Sequence, residues 1–310
     1  MILSCGDALI DFVPVAAADG GEAARPMVGG SCLNVAIGLA RLDVPTGFVG
    51  GIANDLFGRM IAQHAEASNV DLGFATRSDR QTTLAFVRII AGESQYAFYD
   101  AQTASREWTY QRGSIAFATI DALHVGSTTL VNDAGAAETA ALISDARPTS
   151  TISFDPNCRP NLVKDRPAYL DRMQAFAEGA DIVRMSDVDF LYLHGDEAYG
   201  DRAESLFGRG VTLFVVTRGS HGVEAWHRKT GSVKAEAPRI DVVDTIGAGD
   251  SFQAALLAAL HRQNRLVRER LGEMTVDELR RALTFACRCA ALTCTRKGAD
   301  PPRSGEVAWA

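Results

Sequence analysis

The residues best suited to do chemistry lie in one run, Asp244-Thr245-Ile246-Gly247-Ala248-Gly249-Asp250-Ser251-Phe252. An apolar stretch with helical character follows it at once, Gln253-Ala254-Ala255-Leu256-Leu257. That order places the backbone N–H groups of Gly247, Ala248 and Gly249 at a helix N-terminus, where amides lack intrahelical partners and the macrodipole favours negative charge. Such an end is an anion site. Asp250 sits in the same turn, and a carboxylate there raises the cost of holding phosphate. A role as base resolves the conflict. The acid takes a proton from a hydroxyl while the amides hold the phosphoryl group that the hydroxyl attacks. The alternative is an acid that only complements the helix dipole, worth under about 1 kcal/mol.

Two other polar runs each follow a short apolar one: Asp155-Pro156-Asn157-Cys158-Arg159-Pro160 and Thr217-Arg218-Gly219-Ser220-His221-Gly222. In an open α/β sheet, ligands bind at the carboxyl ends of the strands. Asp155, Asn157 and Arg159 have the chemistry to meet phosphate or the water shell of a metal; a polar turn stiffened by two prolines is the other reading. Gly219 and Gly222 would let the backbone approach a ligand closely, as a plain tight turn also requires. Gly29-Gly30 precedes a helical pattern but lacks the Gly-x-Gly-x-x-Gly spacing of a dinucleotide site, and no Gly-x-x-x-x-Gly-Lys-Ser/Thr loop occurs. The histidines form no metal-binding pair at helical spacing, and there is no Gly-x-Ser-x-Gly elbow. Cys287, Cys289 and Cys294 cluster in an apolar helical run without a His, and read as small core residues.

The elements that must position these groups follow from periodicity. Short apolar runs at residues 2–5, 123–125, 151–154, 182–185 and 211–216 read as strands, as does 46–52. Helical patterns at 32–42, 57–67, 134–146, 168–179, 202–207 and 276–292 fall among or after them. Alternation of this kind predicts a mostly parallel central sheet with helices on both faces. Residues 8–15 read as a strand, 16–24 as a loop or hairpin tip, and 82–90 and 94–99 as two strands joined by a tight turn at Gly92. Together they predict a small β piece from about residues 8–28 and 80–100 that could cover a ligand and exclude water. The whole chain, 1–310, reads as a single α/β domain with that discontinuous lid.

Composition narrows the partners. Apolar residues are 47% and charged residues 22% of the chain, ordinary for a globular protein, with a net charge of −7. No basic run or stripe is present, which argues against nucleic acid. No stretch is long and apolar enough for a membrane span, and the first residues carry no cationic leader. Six cysteines in such a chain read as reduced thiols, so a cytoplasmic location is expected.

Taken together the motifs resemble the ribokinase (PfkB) family of carbohydrate kinases. Gly29-Gly30-Ser31-Cys32-Leu33-Asn34-Val35-Ala36 is similar to the family's N-terminal signature, and residues 244–252 to its C-terminal one. The start around Gly6-Asp7 and Asp11 and the ending at 295–299 also match, so the resemblance spans the chain. It implies a ribokinase-like α/β core with a β lid, ATP as phosphoryl donor and Mg²⁺ as cofactor. Carried over by position, Asp250 would be the base and the amides of Gly247, Ala248 and Gly249 the anion hole. Asp11, Gly30 and Asn34 would hold sugar hydroxyls, with Arg159 and Arg88 as further substrate contacts. Thr217, Gly219 and Gly222, with Asn157, would lie along the nucleotide. Asp244 and the carbonyls of Ile246, Arg296 and Gly298 would form a monovalent-cation site for K⁺. Two departures stand out: Ser186-Asp187-Val188-Asp189 replaces the common Asn-x-x-Glu, leaving Asp189 to meet Mg²⁺ through water, and Pro302 stands where a hydroxyl often serves the cation.

Within the family, residues 6–11, 155–160 and 186–187 are most similar to the fructokinase branch, which implies phosphorylation of a primary hydroxyl of fructose. The rival is a 2-keto-3-deoxygluconate kinase, whose acidic substrate would need Arg88 or Arg106 over its carboxylate. A nucleoside kinase would use Phe98 or Tyr99 as a platform for the base. Outside the family lie a nucleotide- or sugar-binding protein without catalysis, which would gain nothing from Asp250, and a nicotinamide-dependent dehydrogenase, which the missing glycine fingerprint disfavours. By analogy, a β lid can pair with a second copy, giving a homodimer.

Overall fold

A computed structural model of the chain describes residues 1–17, 21–90 and 93–309. From the N-terminus, β1 (Ile2–Cys5) leads into the longer strands β2 (Leu9–Ala16) and β3 (Glu22–Gly29). Next come α1 (Ser31–Arg41), β4 (Thr46–Val49), β5 (Gly51–Ala53), α2 (Leu56–Glu66), β6 (Thr76–Ser78), β7 (Thr83–Ile90) and β8 (Glu93–Tyr99). Strands and helices then alternate: β9 (Ala122–Gly126), α3 (Asp133–Ala146), β10 (Thr151–Asp155), α4 (Arg166–Glu178), β11 (Ile182–Ser186), α5 (Asp187–His194), α6 (Tyr199–Arg209) and β12 (Leu213–Thr217). A hairpin, β13 (Val223–His227) and β14 (Gly231–Ala235), precedes α7 (Ala248–Arg262), α8 (Arg268–Gly272) and α9 (Val276–Cys294).

The main sheet has eight strands in the order β14-β13-β12-β11-β10-β9-β1-β4. Every pairing from β12 to β4 is parallel; β13 and β14 add an antiparallel edge. Successive residues of a strand feed opposite cores, as the period of two demands. In β12, Leu213 and Val215 join the core beneath α1, α7 and α9, while Phe214 and Val216 join the core beneath α4 and α6. Both faces are therefore covered, and the strands read as continuous apolar runs. A second sheet, ordered β3-β2-β7-β8, stands apart from the first. Its strands are the two segments expected to form a β piece.

Several boundaries differ from the sequence reading. The single strand expected over 46–52 is two, β4 in the main sheet and β5 paired with β6. Gly50 separates them, at a point where a Cβ would lie 2.5 Å from the Gly6 carbonyl oxygen. The loop expected at 16–24 is shorter, since β2 reaches Ala16 and β3 begins at Glu22. The turn expected at Gly92 lies outside the described residues. The β13–β14 hairpin and α5 are additions to the expected elements, although Ser186 and Asp189 form a capping box at the start of α5. Among the described residues, no helix is long and apolar enough to cross a membrane.

The contact that matters most for the site is between α1 and α7. They approach so closely at Gly38 that a Cβ there would lie 2.7 Å from the Ala254 Cβ. Packed helices forced apart lose about 1–3 kcal/mol. We predict that Gly38→Val lowers the thermal unfolding midpoint by several degrees, read by calorimetry or circular dichroism; an unchanged midpoint would mean the helices can slide at no cost.

Candidate active site

Helix α7 begins at Ala248 behind Gly247, whose φ of 75° lies in the left-handed region that favours glycine. The Ala248 N–H donates to the Thr245 carbonyl at 3.2 Å, so one of the three amides expected to face an anion also closes the entering turn. Asp250, on the first turn of α7, is 7% exposed. Its Oδ1 accepts from Ser31 Oγ at 2.7 Å and its Oδ2 from Asn34 Nδ2 at 2.8 Å, both on α1. Burial pushes the Asp250 carboxyl above its ordinary range, and the Ser31 and Asn34 donors act against that by favouring the charged form.

In front of Asp250 opens a cleft of about 340 Å³. Asp11, Gly30, Asn34, Asn157 and Arg159 all line it, together with Tyr96 and Phe98 from β8 of the small sheet. Residues more than a hundred positions apart thus meet around one space. Asn34, expected to bind substrate, also holds the Asp250 carboxylate. Asn157, expected along the nucleotide, borders this cleft; its Oδ1 is buried and has no partner among the described residues. Arg159 donates to its own loop's carbonyls, Cys158 O at 2.8 Å and Asn157 O at 3.3 Å. Burial, then the neighbouring charge of Asp7, pushes the Asp11 carboxyl up to about 7, with Arg159 opposing. Asp7, which the sequence marks only as part of the matching start and to which it assigns no role, is a further residue of the site. It lines the cleft and accepts from Ser127 Oγ at 2.9 Å, Cys32 N at 3.1 Å and Thr128 Oγ1 at 3.1 Å, tying β1 to α1 and to the end of β9.

A second cleft of about 600 Å³, mostly apolar, runs between the β12 loop and α9. Thr217, Gly219 and Gly222 line it, with Val242, Phe252 and Ala290. The two clefts share Thr245 and Gly249. They meet at the N-terminus of α7.

The expected metal residues are placed as follows. Asp189 accepts from Cys158 N at 3.0 Å and from Ser186 Oγ at 2.8 Å, and burial raises its carboxyl above the ordinary range. Among the described residues no group of three or more His, Cys, Asp or Glu could hold a metal by itself. Asp244 Oδ1 accepts from Ile246 N at 3.0 Å, and its Oδ2 accepts from Gly298 N at 2.8 Å. The segments holding Ile246, Arg296 and Gly298 are thereby brought side by side, while the Arg296 side chain turns to Glu306 at 2.6 Å.

A family model described as pfkB family carbohydrate kinase matches residues 1–304. The chain belongs to that family. This carbohydrate kinase, a phosphotransferase with an alcohol acceptor, is 36% identical over 282 residues to a fructokinase of Rhizobium leguminosarum bv. trifolii, covering 90% of this chain and 86% of that one. It is 33% identical to fructokinase-1 of Oryza sativa subsp. japonica, covering 99% and 95%. Its ribokinase-like fold matches the crystal structure of a fructokinase from Xylella fastidiosa with bound ATP at a TM-score of 0.88, with 26% identity over 96% of this chain and 93% of that one. A Vibrio cholerae O395 fructokinase bound to fructose, ADP and calcium ion matches at 0.81, with 25% identity over 96% and 94%.

In this pfkB kinase two arginines are not where a substrate would need them. Arg88 is exposed and shares its strand face with Phe86, whereas the cleft lies on the other face, with Tyr96, whose partner on β7 is Val87. The period of two turns Arg88 away. Arg106 is buried, ion-paired to Asp100 and hydrogen-bonded to the Thr128 carbonyl, so its charge is already committed.

The raised Asp11 group has a consequence for stability. Its pKa in the folded chain, about 7, exceeds the ordinary carboxylate value of about 3.9 expected when unfolded. Between those values the folded chain binds more protons than the unfolded one, so this group's contribution falls as pH rises through the window. We predict that Asp11→Asn raises the unfolding midpoint of the ligand-free protein at pH 8, and that the gain shrinks as pH falls from 7 toward 4. A gain independent of pH would show that Asp11 ionises freely.

Proposed function

We propose that this protein is an ATP-dependent fructokinase that transfers the γ-phosphoryl group to a primary hydroxyl of fructose. The observation that carries the reading is the meeting of a polar cleft and a long apolar cleft at Asp250 and the α7 N-terminus. Fructose occupies the first cleft in this reading, with Asp11, Gly30, Asn34 and Arg159 around its hydroxyls. ATP occupies the second, along Thr217, Gly219 and Gly222. Asp250 accepts the proton of the attacking hydroxyl, whose oxygen bonds to the γ-phosphorus as the bond to the β-bridging oxygen breaks and ADP leaves. Backbone amides of Gly247, Ala248 and Gly249 stabilise the charge on the transferring group. Fructose is favoured over other sugars by the names of the relatives, fructokinases of bacteria and plants. The 2-keto-3-deoxygluconate reading loses support because Arg88 and Arg106 are turned away or paired.

A divalent ion, Mg²⁺ in this reading, would supply charge neutralisation for the phosphates. With no group of three or more ligating side chains among the described residues, the site suits an ion held mainly by water and phosphates, with Asp189 reaching it through water. The carbonyls near Asp244 and Gly298 suit K⁺. The small sheet acts as a lid over the sugar, extending one domain over residues 1–310. Its outer face exposes Phe86 and Tyr99, which suits pairing with a second copy. The cysteines, all free, suit a reducing cytoplasm.

Coupled ADP-release assays over fructose, ribose, 2-keto-3-deoxygluconate and nucleosides, with and without K⁺, test the substrate. We expect fructose to give the highest kcat/KM, and a better turnover of any other acceptor would replace it. We predict that Asp250→Asn lowers kcat by about 10²–10⁴-fold with ATP affinity retained, as for loss of a general base. Turnover at the wild-type rate in that variant would remove Asp250 from the mechanism.

A further inference from the structure

We propose that Arg184 is the cation that meets the phosphate chain of the nucleotide, a role resting on the kinase reading above. Nothing in the sequence marks this residue: it sits inside the apolar run Ile182-Val183-Arg184-Met185 of β11. An arginine in the middle of a buried strand requires a reason, because a guanidinium out of water is costly unless paired. Arg184 is 3% exposed. Its Nη1 donates to Asp155 Oδ2 and its Nη2 to Thr217 Oγ1, both at 2.6 Å. Those two contacts fix the guanidinium plane between the ends of β10 and β12. The Nε is buried and has no partner among the described residues.

The position of that plane is what points to a ligand. Arg184 lines the apolar second cleft where Gly249 joins it to the first. The guanidinium lies flush on the first turn of α7: a Cβ on Gly249 would sit 3.1 Å from both Nη atoms. Its Cζ is 5.6 Å from the centre of the Phe252 ring. Arg239 also borders this cleft but is exposed, so its charge is screened by water. A mostly apolar slot with one buried cation at its inner end suits a ligand with an apolar body and an anionic end, aimed at Asp250. That is the form of a nucleoside polyphosphate. A guanidinium has five N–H donors, more than its two side-chain partners use. Asp155 then serves to orient the cation and to offset its charge when the cleft is empty.

The competing account is that Arg184 only ties three strand ends together. Arg184→Gln alone would leave Asp155 buried without its partner and could unfold the chain, so the test uses the charge-balanced double variant Asp155→Asn/Arg184→Gln, with Arg184→Lys and Asp155→Asn alongside. Calorimetry without metal would measure the binding of ADP and of adenosine to each. We expect the double variant to bind adenosine as the wild type does and ADP about 10- to 100-fold more weakly, the loss for a charge-assisted hydrogen bond. Arg184→Lys and Asp155→Asn should each retain most of the preference for ADP. An unchanged ratio of ADP to adenosine affinity in the double variant would overturn the proposal. An equal loss for both ligands would also overturn it, in favour of a purely structural role. If the wild type bound neither ligand, the nucleotide reading itself would fall and take this proposal with it.

Discussion

The structure depends on a carboxylate held between two helices. Asp250 projects from the first turn of α7 and is gripped by Ser31 and Asn34 at the start of α1. A buried, ionised carboxylate without donors would take up a proton and could no longer accept one. Two donors keep the charged form accessible and fix both oxygens in space. The grip works only if α1 and α7 keep one spacing, which the close contact of Gly38 with Ala254 sets. Below that contact α7 is buried along nearly its whole length, packed against α1 and α9. A helix so enclosed cannot shift to relieve the cost of its own acid.

Around this fixed point the two sheets play different parts. The main sheet is covered on both faces and ends its parallel strands on one side, so loops from β1, β10 and β12 converge there. The small sheet makes a different contribution: Asp11 from β2, with Tyr96 and Phe98 from β8, closes the polar cleft from the outside. Acid groups crowd the result. Asp7, Asp11 and Asp250 line one space, and burial raises Asp11 and Asp250 above the ordinary carboxylate range, with repulsion from Asp7 and Asp250 adding to it at Asp11 and repulsion from Asp155 at Asp250. A neutral polyol tolerates such a space, because hydroxyls can donate to carboxylates whatever their charge. An acidic acceptor would be repelled by this field, which among the described cleft residues Arg159 alone would have to offset.

Much of this arrangement is legible in the chain alone. The apolar runs at β1, β9, β10, β11 and β12 stand out because a strand buried on both faces is apolar at most of its positions. The turn around Gly247 and the acid at Asp250 stand out because small residues directly before an apolar helix mark a backbone that must bend sharply into it and leave its first amides uncovered. Family signatures near Gly30 and Asp250 extend that reading to the residues expected to hold a sugar and a nucleotide. The hairpin of β13 and β14 is hidden because β13 alternates between buried and half-exposed positions and the edge strand β14 is mostly exposed, both weaker signals than a continuous apolar run. The break at Gly50 is hidden because it is set by the Gly6 backbone, far away in the chain.

Residue type and local spacing, then, determined the class of fold, the helix end that suits an anion, and the acid beside it. These are short-range properties, fixed by periodicity and by which groups a helix terminus leaves unpaired. Direction and partnership were decided only by the tertiary structure. Strand register turned Arg88 outward, an ion pair with Asp100 absorbed Arg106, and Asn34 proved to hold the Asp250 carboxylate as well as line the cleft. Arg184 shows the limit most plainly, since a charge within an apolar strand has no meaning until the folded chain sets Asp155, Thr217 and Gly249 around it. Which charges meet is a matter of distances between residues remote in sequence, and a linear pattern carries no information about those.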